Sequence, residues 1–226
     1  MITVKKKKKR EPVTGFILLA VFLLFTVLVK TVDVKAVGPE GSSVGFAELN
    51  SFFHELTGYN ETWYRITEVM GYISLACAGG IALFGLWQLV SRKSLKKVDA
   101  DILVTGVFFA VVLFIYVLFD KVVINYRPVL EDGKLEASYP SSHTVLALCV
   151  MAALVLLAGD YLSYRAAGIV RMFCCVFMIL MAVGRLLSGV HWLTDILGAI
   201  LISASLISLY TRAMRIFGGR YKEEEN

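Results

Sequence analysis

The chain has 226 residues, of which 58% are hydrophobic, and a mean hydropathy of +0.71. That is too apolar for an ordinary soluble domain, and since each crossing helix needs about 20 mostly apolar residues, the composition points to one membrane domain over residues 1–226. The net charge of +5 is gathered at the ends of apolar segments, which reads as a topology signal and contact with anionic lipid heads, not as a nucleic-acid surface.

Residues 1–14 form a basic amino-terminal segment whose charge peaks between Lys5 and Arg10. The first span covers 15–32; no small-residue cleavage site follows Val32, so it reads as a retained anchor and not a signal peptide. A polar loop over 33–65 holds a Gly38-Pro39 turn signal, then Phe46, Leu49, Phe53 and Leu56 at helical spacing. That pattern predicts a short amphipathic helix on the membrane surface, either a lid or lipid-facing wall or a helix packed on the bundle's end. His54, within it, is expected at the surface with no catalytic role. Further spans are predicted at 66–90, 102–124, 143–162, 167–187 and 191–210, followed by a tail over 213–226. Gly71, Gly79, Gly80 and Gly85 permit close helix contact in the second span. Cys77, Cys149, Cys174 and Cys175 all fall inside apolar spans and are expected as buried small hydrophobes. The fold class is all-α: a polytopic six-transmembrane-helix bundle with a short amphipathic helix in its first outer loop.

Charge orients this bundle. The amino-terminal lysines, Arg92 with Lys93, Lys96 and Lys97, Arg165 with Arg171, and Arg212, Arg215, Arg220 and Lys222 fall on one side, which the positive-inside rule makes cytoplasmic with both termini. The loops that hold Arg127 to His143 and Arg185 to His191 then face outward.

Three blocks in those outward loops carry chemistry. In the third, His191 and Asp195 are four apart, so a helix from Trp192 onward places them on one face, where the carboxylate can orient the imidazole. Arg185 can fold back across the Ser188-Gly189 turn and offer a planar fork of donors to a phosphate. The second block, Pro140-Ser141-Ser142-His143, opens a span, so free backbone N–H groups and the positive helix end face outward beside a histidine able to donate a proton. Serines there are also ordinary helix caps. The first block, from Asp120-Lys121 to Arg127-Pro128, brings two cations to a membrane edge, for which snorkelling to lipid phosphate is the competing explanation.

Taken together these blocks resemble the signature of the type 2 phosphatidic acid phosphatase superfamily, which includes glucose-6-phosphatase and the vanadium haloperoxidases. The third keeps Arg185, His191 and Asp195 at the family spacing, with Gly184 in place of a serine. The second keeps Pro140, Ser141 and His143, with Ser142 in place of a glycine. The first departs more, because Lys121 lies one residue too close to Arg127 and Asp120 occupies the lysine's position. The resemblance implies that His191 attacks phosphorus, Asp195 holds its other ring nitrogen, and His143 protonates the leaving oxygen and then activates water. It also implies that Arg127, Arg185, Lys121, Ser141 and Ser142 bind the phosphate, with no metal and no cofactor.

The expected function is therefore hydrolysis of a lipid phosphate or diphosphate, of the undecaprenyl diphosphate, phosphatidate or phosphatidylglycerol phosphate class, at the outer face of a bacterial plasma membrane. The partners expected are that substrate and membrane lipids. Competing readings are action on a water-soluble ester, phosphate transfer to another lipid, and a transporter or structural protein that only binds lipid heads. A haloperoxidase shares the anion pocket alone. Passive lipid binding does not require the histidine pair.

Overall fold

The computed structural model describes residues 13–131 and 133–218; the basic run from Lys5 to Arg10 and the tail with Arg220, Lys222 and Glu223 to Glu225 lie outside them. Seven α-helices follow in order: α1 Thr14–Thr31, α2 Ala47–Thr57, α3 Glu61–Arg92, α4 Ala100–Lys121, α5 Ser142–Tyr161, α6 Tyr164–Leu187 and α7 Leu193–Phe217. All but α2 are long and apolar enough to cross a membrane, and the described residues hold no strand beyond isolated bridges. The chain is an all-α integral membrane protein.

The helices are unequal. The apolar windows of α5 and α7 are each 56% buried, whereas those of the other four spans are between 17% and 22% buried. The central pair therefore consists of the two helices whose amino-terminal ends carry His143 and Asp195. Phe22 of α1, Phe108 of α4, Val145 and Cys149 of α5, and Ile202 and Tyr210 of α7 fill one core; Met151, Cys174, Phe177 and Met181 between α5 and α6 fill a second. Outward faces are rich in exposed Leu, Val, Ile and Phe, as lipid contact requires.

Two boundaries differ from the sequence expectation by more than three residues. The second span starts at Glu61 instead of 66, because the Asn60 side chain accepts a hydrogen bond from the Trp63 amide at 3.1 Å and caps the helix before its apolar run begins. The last helix runs to Phe217, past 210, carrying Arg212 and Arg215 on its final turns.

The short helix expected in the first loop is present, and its inward face is made of small and polar residues. Ala47 and Asn50 are buried, while Leu49, Phe52 and Leu56, at i, i+3 and i+7, are exposed together as an apolar stripe. Asn50 Nδ2 donates to the Gly45 carbonyl at 2.7 Å and to Thr194 Oγ1 at 2.9 Å, and its Oδ1 accepts from the Thr194 amide at 3.1 Å. The helix is thus bolted to the start of α7. His54 is half-buried, not at the surface: its ring lies 5.4 Å from that of Trp192, and burial lowers its pKa.

Of the cysteines, Cys149 and Cys174 are buried and Cys77 partly so, but Cys175 is exposed on the outside of α6, correcting the expectation for that residue. In α3, a Cβ at Gly79 or Gly80 would meet nothing within 4 Å, whereas one at Gly71 or Gly85 would press on a neighbouring helix, so only the latter two mediate close contact.

Candidate active site

Six segments meet at one end of the bundle. The Ser141 amide donates to the Asp195 carbonyl at 3.2 Å, so the starts of α5 and α7 touch. Trp192 Nε1 donates to the Tyr126 carbonyl at 2.7 Å, and the Asn60 amide to the Ser188 carbonyl at 3.0 Å. These bonds draw the loop before α5 and the start of α3 onto the hairpin between α6 and α7. Two positive helix ends converge there, a setting suited to an anion.

Arg185 sits fully buried in the last turn of α6. The chain then reverses through Gly189, whose φ of +67° and contact with the Gly58 carbonyl leave no room for a side chain. This reversal folds His191 back over Arg185, as the sequence implies. Arg185 Nη2 lies 3.2 Å from His191 Nε2, and Nη1 lies 2.9 Å from Glu68 Oε1 and 3.4 Å from Thr67 Oγ1. A guanidinium has only donors, so His191 Nε2 must be the acceptor. The lone pair then stands on Nε2 and the neutral ring keeps its proton on Nδ1. With the side chain 1% exposed, burial first, then the charges of Arg185, Arg127 and His143, hold the His191 pKa well below 6.5. Its Nε2 therefore keeps its lone pair at neutral pH.

The partner of His191 is arranged differently from the expectation. His191 precedes α7, so the pair does not lie on one helical face; Nδ1 stands 3.6 Å from Asp195 Oδ2, beyond hydrogen-bond length. That oxygen instead accepts from the Trp192 amide at 2.9 Å, capping the helix. Asp195 faces the Nδ1 proton and fixes the hairpin at once.

His143 occupies the first turn of α5, and its Nε2 lies 3.1 Å from Glu68 Oε1. A Cβ at Gly71 would come within 2.5 Å of this ring, so the glycine makes its place. The two imidazoles, 48 positions apart, are thus joined through Glu68 and Arg185 in one chain of contacts. Arg127 is buried beside them. It pairs with Glu131, its Nη2 lies 3.5 Å from Glu136 Oε2, and the Tyr64 hydroxyl donates to Glu131 at 2.6 Å while its ring lies 5.6 Å from the Arg185 guanidinium.

Three expected phosphate ligands are placed less directly. Lys121 is 77% exposed, pairs with Asp120 at 2.8 Å and lines the cavity that also holds Arg127 and His143, although none of its described ion pairs or hydrogen bonds reaches the histidines or arginines. Its one-residue offset thus has a structural counterpart. Ser141 is buried, with its amide held by Asp195 and its hydroxyl accepting from Thr144 at 3.0 Å, so its amide is not free for an anion. Ser142, partly exposed, lines the adjoining cavity and is better placed.

That cavity, of about 950 Å³, is walled by α3, α4 and α5. Its polar end holds Arg127, Ser142 and His143, and its walls include Leu75, Leu113, Phe119 and Val150. Leu75 and Leu113 are also exposed on the bundle's flank, so the cavity opens sideways. Among the described residues, no group of three or more His, Cys, Asp or Glu is spaced to hold a metal.

Glu68, Gly71 and Asn50 are the participants that sequence reasoning missed. Glu68 had a legible signal, since a carboxylate in an apolar span is a functional candidate on cost alone. Gly71 was legible as a position of close helix contact but not as the seat of His143, and Asn50 had no signal that a single sequence displays.

A six-span bundle that gathers two histidines and two arginines at one end defines a membrane protein with a cationic, imidazole-bearing site suited to an anion. The PAP2 superfamily model matches residues 121–218, a segment that starts at Lys121 of the first block and contains the second and third. The crystal structure of a PAP2-type phosphatidylglycerolphosphate phosphatase from Bacillus subtilis is similar at a TM-score of 0.61 and 21% identity, over 89% of this chain and 96% of that one. Aquifex aeolicus LpxE is similar at a TM-score of 0.39 and 21% identity, over 70% of this chain and 93% of that one. No curated protein matches the chain.

Proposed function

We propose that this protein is an integral membrane phosphatase that removes phosphate from a lipid phosphate through a phosphohistidine, without a metal. The observation that carries the lipid reading is the cavity: apolar walls open on the bundle's flank, with His143 and Arg127 at the polar end. A lipid diffusing in the membrane can lay its chain there and present its head group to the histidines.

In the first step His191 Nε2 attacks phosphorus, the bond to the lipid oxygen breaks, and His143 gives its Nε2 proton to that oxygen. Arg127 and Arg185 exchange their carboxylate partners for phosphate oxygens and neutralise the charge that builds on them. In the second step His143 takes a proton from water as it attacks phosphorus, the P–N bond breaks, and its electron pair returns to Nε2. Asp195 steadies the Nδ1 proton throughout. With Arg92, Lys93, Lys96, Lys97, Arg165, Arg212 and Arg215 at the opposite end of the bundle, the positive-inside rule turns the site to the outer face of the plasma membrane.

The test is phosphate release from phosphatidate in detergent micelles by purified wild type and His191→Ala, each with and without a chelator. Turnover should vanish in the variant and persist with the chelator. An active variant would reject the nucleophile, and chelator-sensitive turnover would reject the metal-free route.

A further inference from the structure

Glu68 stands on the leaving-group side of the site. In an in-line displacement the nucleophile and the leaving oxygen lie on opposite sides of phosphorus, and the general acid meets the leaving oxygen. With His191 as nucleophile and His143 as acid, the group next to His143 Nε2 marks where the leaving group departs. Glu68 Oε1 is 3.1 Å from that nitrogen. The same oxygen is 2.9 Å from Arg185 Nη1, so it holds both donors that a phosphate ester would engage. A substrate must displace the carboxylate, yet Glu68 is fixed to α3 and can retreat by no more than a side chain's length.

We infer that Glu68 is a specificity-determining residue that admits phosphate monoesters and disfavours diphosphates. This rests on the phosphatase reading above and narrows its substrate class. A monoester places an alcohol oxygen and uncharged carbons on the leaving side. A diphosphate places a second phosphate there, with at least one negative charge facing the carboxylate. Like charges about 5 Å apart at an effective dielectric of about 20 repel enough to lower the rate roughly a hundredfold. Neighbouring cations do not offset this. Arg185 and Arg127 are taken up by the reacting phosphate, and Lys121, which lines the same cavity, pairs with Asp120.

The experiment compares kcat/KM for dioctanoyl phosphatidate and farnesyl diphosphate in detergent, for wild type and Glu68→Gln. Wild type should prefer the monoester by at least tenfold, and E68Q should raise the diphosphate-to-monoester ratio by at least tenfold. A second measurement needs no variant: inorganic phosphate should inhibit wild type more strongly than pyrophosphate, despite the greater charge of pyrophosphate. Hydrolysis of both lipids at a ratio that E68Q leaves unchanged, or pyrophosphate as the tighter inhibitor, would overturn the assignment alone. A wild type that releases phosphate from neither lipid would overturn the phosphatase reading with it.

Discussion

Replacing Gly71 with alanine should separate folding from catalysis. Gly71 lies inside α3, where alanine is the better helix former by about 0.5–1 kcal/mol. A Cβ there stands 2.5 Å from Cδ2 and 3.1 Å from Nε2 of His143. An ordinary carbon contact is about 3.5–4.0 Å, so the ring must retreat by about 1 Å. The ring is the free end of a side chain that is 26% exposed, so it can yield while both helix backbones stay in place. What moves, however, is the proposed proton donor, and a misplacement of about 1 Å costs on the order of a hundredfold in rate. For G71A we expect kcat for phosphate release to fall about a hundredfold, with a thermal unfolding midpoint in detergent equal to or above that of wild type. A variant within about threefold of wild-type kcat would refute the claim that the close approach of α3 sets the position of His143.

Three further outcomes follow from the same geometry. His191 stays neutral when buried but binds a proton near pH 6.5 once unfolded, so the unfolded state carries more protons below that pH and stability falls as the pH drops through 6.5. Between pH 7.5 and 5.5 this amounts to about 1 kcal/mol, which thermal unfolding should detect as the difference in pH dependence between wild type and His191→Gln. Asn50→Leu leaves the buried Thr194 amide and Gly45 carbonyl without their partners, at about 2–4 kcal/mol, and should lower the unfolding midpoint and reduce kcat more than it changes KM. Arg127→Ala should lower kcat/KM by roughly a hundredfold or more, whereas Lys121→Ala should lower it by less than about tenfold; equal losses would return Lys121 to the phosphate site.

The bundle was legible because hydropathy and length are local quantities, and a helix in lipid satisfies its own backbone. Its edges were less so. Glu61, Arg65 and Glu68 make the first turns of α3 look like loop to an apolar reading, although Asn60 caps the helix just before them. Arg185, His191, His143 and Arg127 were legible through ordered spacing, and the structure brings all four to one end. The His191 and Asp195 spacing misled in one respect. Four residues apart implies a shared helical face only if both residues are helical, and the reversal at Gly189 leaves His191 outside the helix. Gly71 was legible as a close-contact glycine, but its partner, like that of Asn50, was not, because each acts on a residue far along the chain, His143 and Thr194, through contacts that only packing creates.

This division has a chemical consequence. The groups proposed to react lie within the segment 121–218, while the groups that set their surroundings lie before it: Glu68 against His143 and Arg185, Gly71 under the His143 ring, and Asn50 on the start of α7. Phosphoryl transfer needs the first set in one arrangement, because the nucleophile, acid and guanidinium groups must surround a single tetrahedral centre. Within the second set Gly71 and Asn50 share that constraint, because they hold the acid and the start of α7 in place, whereas Glu68 does not. A change at Glu68 alters the charge facing the leaving group and leaves the nucleophile's lone pair where Arg185 and the hairpin hold it. On the proposed reading, substrate choice therefore shifts at Glu68 of α3 while the reacting groups of α5, α6 and the α6–α7 hairpin stay in place.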